Sequence, residues 1–234
     1  MSRRVLHRWG RLEQVCLTVY CIPHAGAGAA AIEPLAQEAR ADEDIVGVRL
    51  SGRENRFSEG QPRDLESVVT EITEAVRDDA TSGGNGNIPR VILGQCSGAI
   101  VAAHVAKRLG PLVSGLVVVS PPDKGSADTS VTTTSLLSLG GFDEDLLLSD
   151  EMRAMIEEII EGDVKLTTQS SIPVDLDGIP VLEIRGRFDD TEQSEQPWKE
   201  VSTSTRQLEF VDSGHFVVRD APGTILSLIR CFLK

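Results

Sequence analysis

The feature that most constrains this fold is the stretch VILGQCSGAIVAAHVA, at residues 91–106. Apolar residues typical of a strand run into the turn sequence GQCSG, and a segment with helical spacing of apolar residues follows at once. This order predicts a strand, a tight turn and a helix in direct succession. Such a unit belongs to an α/β architecture, in which helices cover a mostly parallel sheet.

The glycines of this turn indicate which side chain it presents. Centred on Cys96, both flanks are glycine, Gly94 and Gly98, whereas centred on Ser97 they are glutamine and alanine. A Cβ at either flank would collide with the neighbouring strand or helix, so the pattern predicts a nucleophile elbow with Cys96 at its apex. Ser97 would then add its backbone N–H to an oxyanion hole. The alternative is a glycine-rich turn around a buried structural cysteine.

A nucleophile of this kind needs a histidine base late in the chain and an acid that orients the imidazole. His215, in VDSGHFVV after the last predicted strand, fits that place, whereas the other three histidines lie earlier. Two acids are open as its partner, Asp189 in IRGRFDD and Asp123 in VVVSPPDKG. Each follows the carboxyl end of a predicted strand, and the residue pattern does not decide between them.

The sequence CIPHAGAGAA, at residues 21–30, predicts the second donor of the oxyanion hole. Gly26 and Gly28 let the chain turn sharply after the first predicted strand. A backbone N–H near Ala25 can then face a substrate carbonyl oxygen.

Predicted strands and helices alternate along the chain, which indicates a mostly parallel sheet with helices on both faces. The predicted strands cover residues 15–23, 45–50, 90–94, 113–120, 179–186 and 206–214, and the predicted helices cover 31–41, 64–79, 97–110 and 221–234.

Residues 121–175 interrupt this alternation. A polar, turn-rich stretch there is followed by a helical one with apolar residues on one side. Long irregular segments in a compact domain are often lids or binding loops, so we expect a lid over the end of the sheet; the alternative is a plain surface elaboration. A chain of 234 residues suits a single domain, 1–234, with this insertion.

The formal net charge of -13 argues against nucleic acid as a partner. No apolar run approaches the roughly 18 residues of a membrane span, and no secretory apolar region follows the first arginines. We therefore expect no membrane association and a cytoplasmic location. The early arginines are expected to form a solvated arm: Arg3, Arg4, Arg8 and Arg11.

The four cysteines, at 16, 21, 96 and 231, lack the paired spacing of a zinc site, and no nucleotide-binding motif is present. Neither a metal nor a cofactor is therefore expected. Cys16, Cys21 and Cys231 are interpreted as small buried apolar residues in a reducing compartment.

Four blocks in order resemble the type II thioesterases of polyketide and nonribosomal peptide assembly lines, within the α/β-hydrolase family. IPHAGAGAA resembles their Phe-Pro-His-Ala-Gly-Gly block, and VRLSGRENRF resembles their Leu-Pro-Gly-Arg-Glu-x-Arg block. GQCSGAIVA resembles their Gly-His-Ser-Met-Gly elbow, and GRFDD with GHF resembles their acid and histidine blocks. The likeness covers roughly residues 15–233, including a helical lid at 139–163.

The resemblance implies an α/β-hydrolase fold with a small helical lid and a triad of Cys96, Asp189 and His215. It implies oxyanion donors at Ala25 and Ser97. The implied partner is an acyl or peptidyl carrier protein that holds its substrate on phosphopantetheine.

Two departures from the family pattern are the elbow residues and a short first part of the lid, and the spacing of Asp123 is a third point that bears on the reaction. Gln95 and Cys96 stand where the family usually has histidine and serine. Asp123 lies 27 residues after Cys96, about the distance at which peptide-releasing thioesterase domains and the cysteine-bearing, tetramate-forming cyclases of this fold place their acid. This keeps Asp123 open as the triad acid.

A cysteine nucleophile makes the acyl-enzyme a thioester, so transfer from the carrier's thiol is close to thermoneutral and the acyl group stays activated. The predicted reaction is release of carrier-bound acyl or peptidyl groups, by hydrolysis or by a Dieckmann-type cyclisation to a tetramate. The alternative is a catalytically inactive hydrolase fold that only binds a carrier or ligand. A generic carboxylesterase is disfavoured by the four blocks.

Three cations near the predicted site entrance have two interpretations. Arg53, Arg56 and Lys124 could bind the phosphate of the phosphopantetheine arm through charge-assisted hydrogen bonds. Alternatively, the two arginines tie down their own loop through Glu54 or nearby acids.

Overall fold

The structure is a computed structural model of the chain. It describes residues 2–10, 14–82, 88–122, 149–168, 172–173, 176, 178–191, 198, 201 and 206–234. Its centre is a seven-stranded sheet in the order β1-β3-β2-β4-β5-β6-β7. The strands are β1 Leu6–Arg8, β2 Leu17–Ile22, β3 Glu43–Val48, β4 Arg90–Gln95, β5 Gly115–Val119, β6 Val181–Gly186 and β7 Arg206–Val211.

Across the described strands, the sheet is parallel from β3 to β7, and β1 alone pairs antiparallel, with β3. Every residue of β2, β4, β5 and β6 is buried, because helices cover both faces of a parallel sheet. The predicted mostly parallel α/β architecture is confirmed. The carboxyl ends of β2, β4, β6 and β7 therefore meet at one edge, where ligands of such sheets bind.

The helices are α1 Ser2–Val5, α2 Glu33–Gln37, α3 Leu65–Ser82, α4 Gly98–Leu109, α5 Asp150–Thr168, α6 Val217–Asp220 and α7 Pro222–Phe232. Short 3-10 turns lie at Ala29–Ile32, Glu54–Glu59 and Gly110–Leu112. Helices α3 and α4 bury their apolar sides on one face of the sheet, and α2, α6 and α7 cover the other. Of the predicted lid region, 121–175, helix α5 is the largest described part.

The expectation of a solvated N-terminal arm is wrong for Arg8. This residue ends β1, and its guanidinium donates to Asp44 at 2.9 Å and to Asp79 at 2.6 Å. Asp79 also accepts from the Tyr20 hydroxyl at 2.7 Å. Arg8 thus links the edge strand β1 to β3 and α3 through hydrogen bonds. A strand of three residues is too short to give a visible alternation pattern, so the sequence did not predict it.

The cysteine expectation holds for Cys21, which is buried in β2, but is wrong for Cys16 and Cys231, which are exposed. Cys16 precedes the first residue of β2, and Cys231 lies in the last turn of α7. Element ends are less covered than element centres, which explains both exceptions.

Within the described ranges, no helix is both long enough and apolar enough to cross a membrane.

Candidate active site

Cys96 stands at the sharp turn between β4 and α4. Its φ of +52° lies in the left-handed region, which non-glycine residues rarely occupy. Its backbone N–H donates to the Val119 carbonyl of β5 at 2.9 Å, and its own carbonyl accepts from Ala99 N–H at 2.9 Å. These two bonds fix the strained apex between the sheet and the first turn of the helix.

The two glycines of the turn are required by close backbone approaches. A Cβ at Gly94 would lie 2.3 Å from the Gly98 carbonyl oxygen, and one at Gly98 would lie 2.3 Å from the Pro23 carbonyl oxygen. Neither backbone oxygen can move aside without displacing β2 or α4. The local sequence therefore dictates the elbow that was predicted around Cys96.

His215 and Asp189 meet at the same edge of the sheet. His215 Nδ1 lies 2.9 Å from Asp189 Oδ2, and the two side chains are 3% and 0% exposed. Asp189 Oδ1 accepts from the Thr191 hydroxyl at 2.7 Å and from the Thr191 N–H at 3.1 Å. One carboxylate oxygen of Asp189 is therefore hydrogen-bonded within its own loop, and the other is hydrogen-bonded to the imidazole.

The pKa values of His215 and Asp189 both differ from the ordinary values of these side chains. Burial alone lowers the pKa of His215, but the hydrogen bond with Asp189 and the neighbouring Cys96 thiol raise it to about 10. Burial raises the pKa of Asp189, but the hydrogen bond and charge of His215, together with the two hydrogen bonds from Thr191, lower it overall. The arrangement favours an imidazolium between two groups that can carry negative charge.

The second imidazole nitrogen of His215, Nε2, is buried and has no hydrogen bond of normal geometry among the described residues. Cys96, itself 4% exposed, acts on His215 as an electrostatic neighbour. Helix α5 covers the thiol, because Ile156 and Ile160 pack in one cluster with Cys96, Ala25 and Phe216. The thiol of Cys96, the imidazole of His215 and the carboxylate of Asp189 are thus all buried.

Ala25 packs in the same cluster as Cys96, and Ser97 directly follows Cys96 in the chain. Ala25 follows β2, whose Ile22 pairs with Gly94, and Ser97 is the N-cap of α4. Within the described part of the chain, neither amide donates a hydrogen bond to another group. Both donors are therefore available for an oxygen that enters the site.

Gln95 is a site residue that sequence reasoning treated only as a departure from the family pattern. Its side-chain amide donates to the His215 backbone carbonyl at 3.3 Å in a buried contact. The residue thus ties the end of β4 to the histidine loop. A sequence offers no signal for such a contact, because the two residues are 120 positions apart.

Arg53 and Arg56, the two arginines considered for phosphate binding, are not free cations. Arg56 donates to Glu59 at 2.6 Å, to Glu71 and to the Arg49 carbonyl at 2.8 Å. Arg53 forms a buried ion pair with Asp163 of α5. These contacts leave neither guanidinium free for a phosphate. The alternative, that acids of their own loop hold the arginines, fits Arg56 through Glu59 but not Arg53, whose partner Asp163 lies 110 positions along the chain.

Two residues singled out from the sequence, Asp123 and Lys124, lie outside the described residues. Within the described ranges, no group of three or more histidine, cysteine, aspartate or glutamate side chains could hold a metal ion. His24, a further histidine of the site, is buried with its ring centroid 4.8 Å from that of Phe216.

Comparison with known proteins places these features in a wider group. The thioesterase domain family matches residues 17–233. The gramicidin S biosynthesis protein GrsT of Aneurinibacillus migulanus is 29% identical over 93 residues, which is 40% of this chain and 34% of that protein. The chain thus matches about a third of the length of that relative.

Two solved structures share the fold over almost the whole chain. The type II thioesterase BorB from the borrelidin biosynthetic cluster superposes with a TM-score of 0.78 at 20% identity, covering 98% of both chains. YbtT, a type II thioesterase from the yersiniabactin NRPS/PKS pathway, superposes with a TM-score of 0.76 at 16% identity, again covering 98% of both chains. At these identities the likeness establishes the fold.

Proposed function

The chain belongs to the thioesterase domain family, and from this premise we propose that it releases acyl or peptidyl groups from carrier-protein thioesters through an acyl-Cys96 intermediate. Hydrolysis is the outcome that the site supports best. YbtT, described as a type II thioesterase from an NRPS/PKS pathway, supports a carrier-bound substrate. The proposed catalytic groups are Cys96, His215 and Asp189.

The observation that carries the proposal is the buried hydrogen bond between His215 and Asp189 beside the strained Cys96 elbow. A carboxylate on Nδ1 leaves Nε2 as the nitrogen that exchanges protons with a nucleophile. His215 Nε2 has no other hydrogen-bond partner among the described residues, as this role requires. The same bond favours Asp189 over Asp123 as the acid.

In the first half-reaction, the Cys96 sulfur attacks the thioester carbonyl while its proton is held on His215 Nε2. The amides of Ala25 and Ser97 donate to the oxygen on which negative charge develops. When the carbon–sulfur bond to the carrier arm breaks, the departing thiolate takes the proton from His215. The products are a free carrier thiol and an acyl group on Cys96.

In the second half-reaction, water gives a proton to His215 Nε2 and attacks the acyl-Cys96 carbonyl. Acylation removes the negative charge that the sulfur can carry, and with it one cause of the raised pKa of His215. The imidazole of the acyl-enzyme is therefore more readily deprotonated and can act as a general base. Collapse of the intermediate returns the proton to the Cys96 sulfur and releases a carboxylic acid.

A second candidate outcome is cyclising release, and the thiol itself favours it. An acyl group on sulfur stays activated, and its α-proton is more acidic than that of an oxygen ester. An internal amine, alcohol or carbanion could then replace water as the acceptor of the acyl group. Much of the predicted lid, 121–175, lies outside the described residues; we also propose that its described helix α5 acts as a lid, which the packing of Ile156 and Ile160 against Cys96 supports.

Intact-mass spectrometry of the protein mixed with an acyl-carrier thioester tests the proposal. We expect a mass increase equal to the acyl group, placed on Cys96 by peptide mapping. Cys96→Ala is the matched control, because it keeps the exposed thiols of Cys16 and Cys231, which could be acylated non-specifically. Tight carrier binding without any adduct on Cys96 would favour the inactive-binder alternative instead.

A further inference from the structure

Helix α5 reaches the loop that follows β2 through one carboxylate, that of Asp163. Its Oδ2 accepts from the Gly26 N–H at 2.8 Å and from the Arg53 guanidinium. The side chains of Asp163 and Arg53 are 7% and 3% exposed. We call residues 23–28 the oxyanion loop, because they carry the proposed donor Ala25.

The contact fixes the backbone next to the proposed donor. Gly26 directly follows Ala25 and has a φ of +79°. A hydrogen bond from Gly26 N–H to a buried carboxylate fixes the plane of the Ala25–Gly26 peptide, and the Ala27 N–H closes the turn on the His24 carbonyl at 3.2 Å. The hydrogen bonds of Gly26 N–H and of the His24 carbonyl fix the peptide groups on both sides of Ala25. The direction of the Ala25 N–H is therefore set by the turn and not by an acceptor of its own.

The same helix contacts the thiol. Ile156 and Ile160 pack in the Cys96 cluster, and Asp163 lies one further turn along the same side of α5. Since positions four and three residues apart lie on one side of a helix, one element covers the nucleophile and holds the oxyanion loop. Arg53 neutralises the carboxylate there, which makes its burial tolerable.

We infer that Asp163 is a positioning residue of the oxyanion hole, an inference that rests on the proposed acyl-transfer function. Its carboxylate accepts from Gly26 so that the Ala25 N–H points at the carbonyl oxygen of the bound thioester. A misdirected donor loses the stabilisation that it supplies only as the oxyanion develops, which costs about 10²–10³-fold in kcat for one donor. Substrate binding, and therefore KM, is little affected.

Two double variants separate this role from that of the ion pair. Asp163→Asn with Arg53→Gln removes both charges but keeps an amide oxygen that can accept from Gly26. Asp163→Leu with Arg53→Met removes both charges and the acceptor. Replacing both partners of a buried pair avoids a lone buried charge. Glu161→Gln, an exposed acid two residues earlier in α5, is the control.

Two rates are measured for each variant: acylation of Cys96 by an acyl-carrier thioester, and alkylation of Cys96 by iodoacetamide. Alkylation at a saturated carbon forms no oxyanion and so does not use the hole. We expect the Leu/Met pair to lose about 100-fold in acylation with unchanged alkylation, and the Asn/Gln pair and Glu161→Gln to keep most of both. Thermal unfolding verifies that each variant is folded, and Asp163→Ala with Arg53→Gln replaces the Leu/Met pair if that pair does not fold.

Equal acylation rates in the two double variants would overturn the inference, because the acceptor for Gly26 would then not matter. Parallel losses of acylation and alkylation would also overturn it, since they indicate a disturbed thiol. A wild-type protein that is alkylated but never acylated would instead overturn the proposed function itself.

Discussion

At the residue scale, Cys96 has a strained backbone, and its side chain is buried beside the hydrogen-bonded pair of His215 and Asp189. A non-glycine residue in the left-handed region costs on the order of 1 kcal/mol or more, which the surrounding contacts must offset. Its φ of +52° is held by the Val119 carbonyl and by glycine flanks that no other residue could replace. The strain places the sulfur at the carboxyl edge of the sheet, where His215 lies.

Asp189→Asn tests the proposed acid. An asparagine cannot hold the imidazole in the tautomer that accepts a proton at Nε2, so kcat should fall by about 10⁴-fold. Asp190→Asn is the matched control, because it changes the exposed neighbour of Asp189 in the same loop, and it should be nearly silent. Steady-state hydrolysis of a small acyl thioester gives both values. If Asp123→Asn alone produced the large loss, Asp189 would not be the acid.

The raised pKa of His215 is a second prediction at this scale. It should titrate near 10 in the wild-type protein, against an ordinary value of 6.5, and lower in Cys96→Ala because one cause of the shift is removed. Since the folded pKa is raised, the stability that this proton contributes is complete below pH 6.5 and is lost as the pH rises through about 10. NMR titration of the imidazole measures the first effect, and urea unfolding between these pH values measures the second. A His215 that titrates at its ordinary value in both proteins would contradict the prediction.

The sequence predicted part of this site because some of its signals are local. The Gly-x-Cys-x-Gly spacing identifies Cys96 as the apex, since the glycines and the thiol share one turn. The choice between Asp189 and Asp123 depends on where two distant loops meet, which residue spacing does not encode. The roles of Gln95 and Asp163 are likewise visible only after the His215 loop and helix α5 are in place.

At the element scale, the elbow is the junction on which the site depends. Gly98→Ala should destabilise the protein by at least about 2 kcal/mol, because its Cβ would lie 2.3 Å from the Pro23 carbonyl oxygen. Gly10→Ala is the control, since a Cβ there meets nothing within 4 Å, and it should change stability by less than about 0.5 kcal/mol. Urea unfolding compares the two. Equal stabilities would show that β2 and α4 can separate without cost.

Elements with a long apolar pattern were predicted well, and short or irregular ones were not. Helix α3 was predicted at 64–79 and lies at Leu65–Ser82, because several turns of apolar spacing define one buried side. The helix predicted at 31–41 is instead a 3-10 turn followed by the five residues of α2. Strand β1 was missed altogether, since three residues paired at a sheet edge carry no periodic signal.

At the scale of the whole molecule, the protein has an acidic surface but no free arginine in the VRLSGRENRF block to offset it. The net charge is -13. Arg53 and Arg56, the two arginines considered for phosphate binding, are paired with the carboxylates of Asp163 and Glu71. Carrier proteins are usually acidic as well. On the proposed function, recognition of such a carrier would therefore depend on short-range contacts and not on long-range attraction.

This charge balance predicts the salt dependence of carrier recognition. Two bodies of the same sign repel at low salt, and the Debye length shortens from about 30 Å at 0.01 M to about 10 Å at 0.1 M salt, which screens the repulsion. Over that range, kcat/KM for an acyl-carrier substrate should stay constant or rise. The same acyl group on a small uncharged thioester is the control for salt effects on the chemistry, and its kcat/KM should not change. A carrier-specific fall in kcat/KM with salt would contradict this prediction and would mean that a local basic patch steers the carrier. Lys124→Ala would then be the first variant to measure, because Arg53 and Arg56 are already paired with Asp163, Glu59 and Glu71.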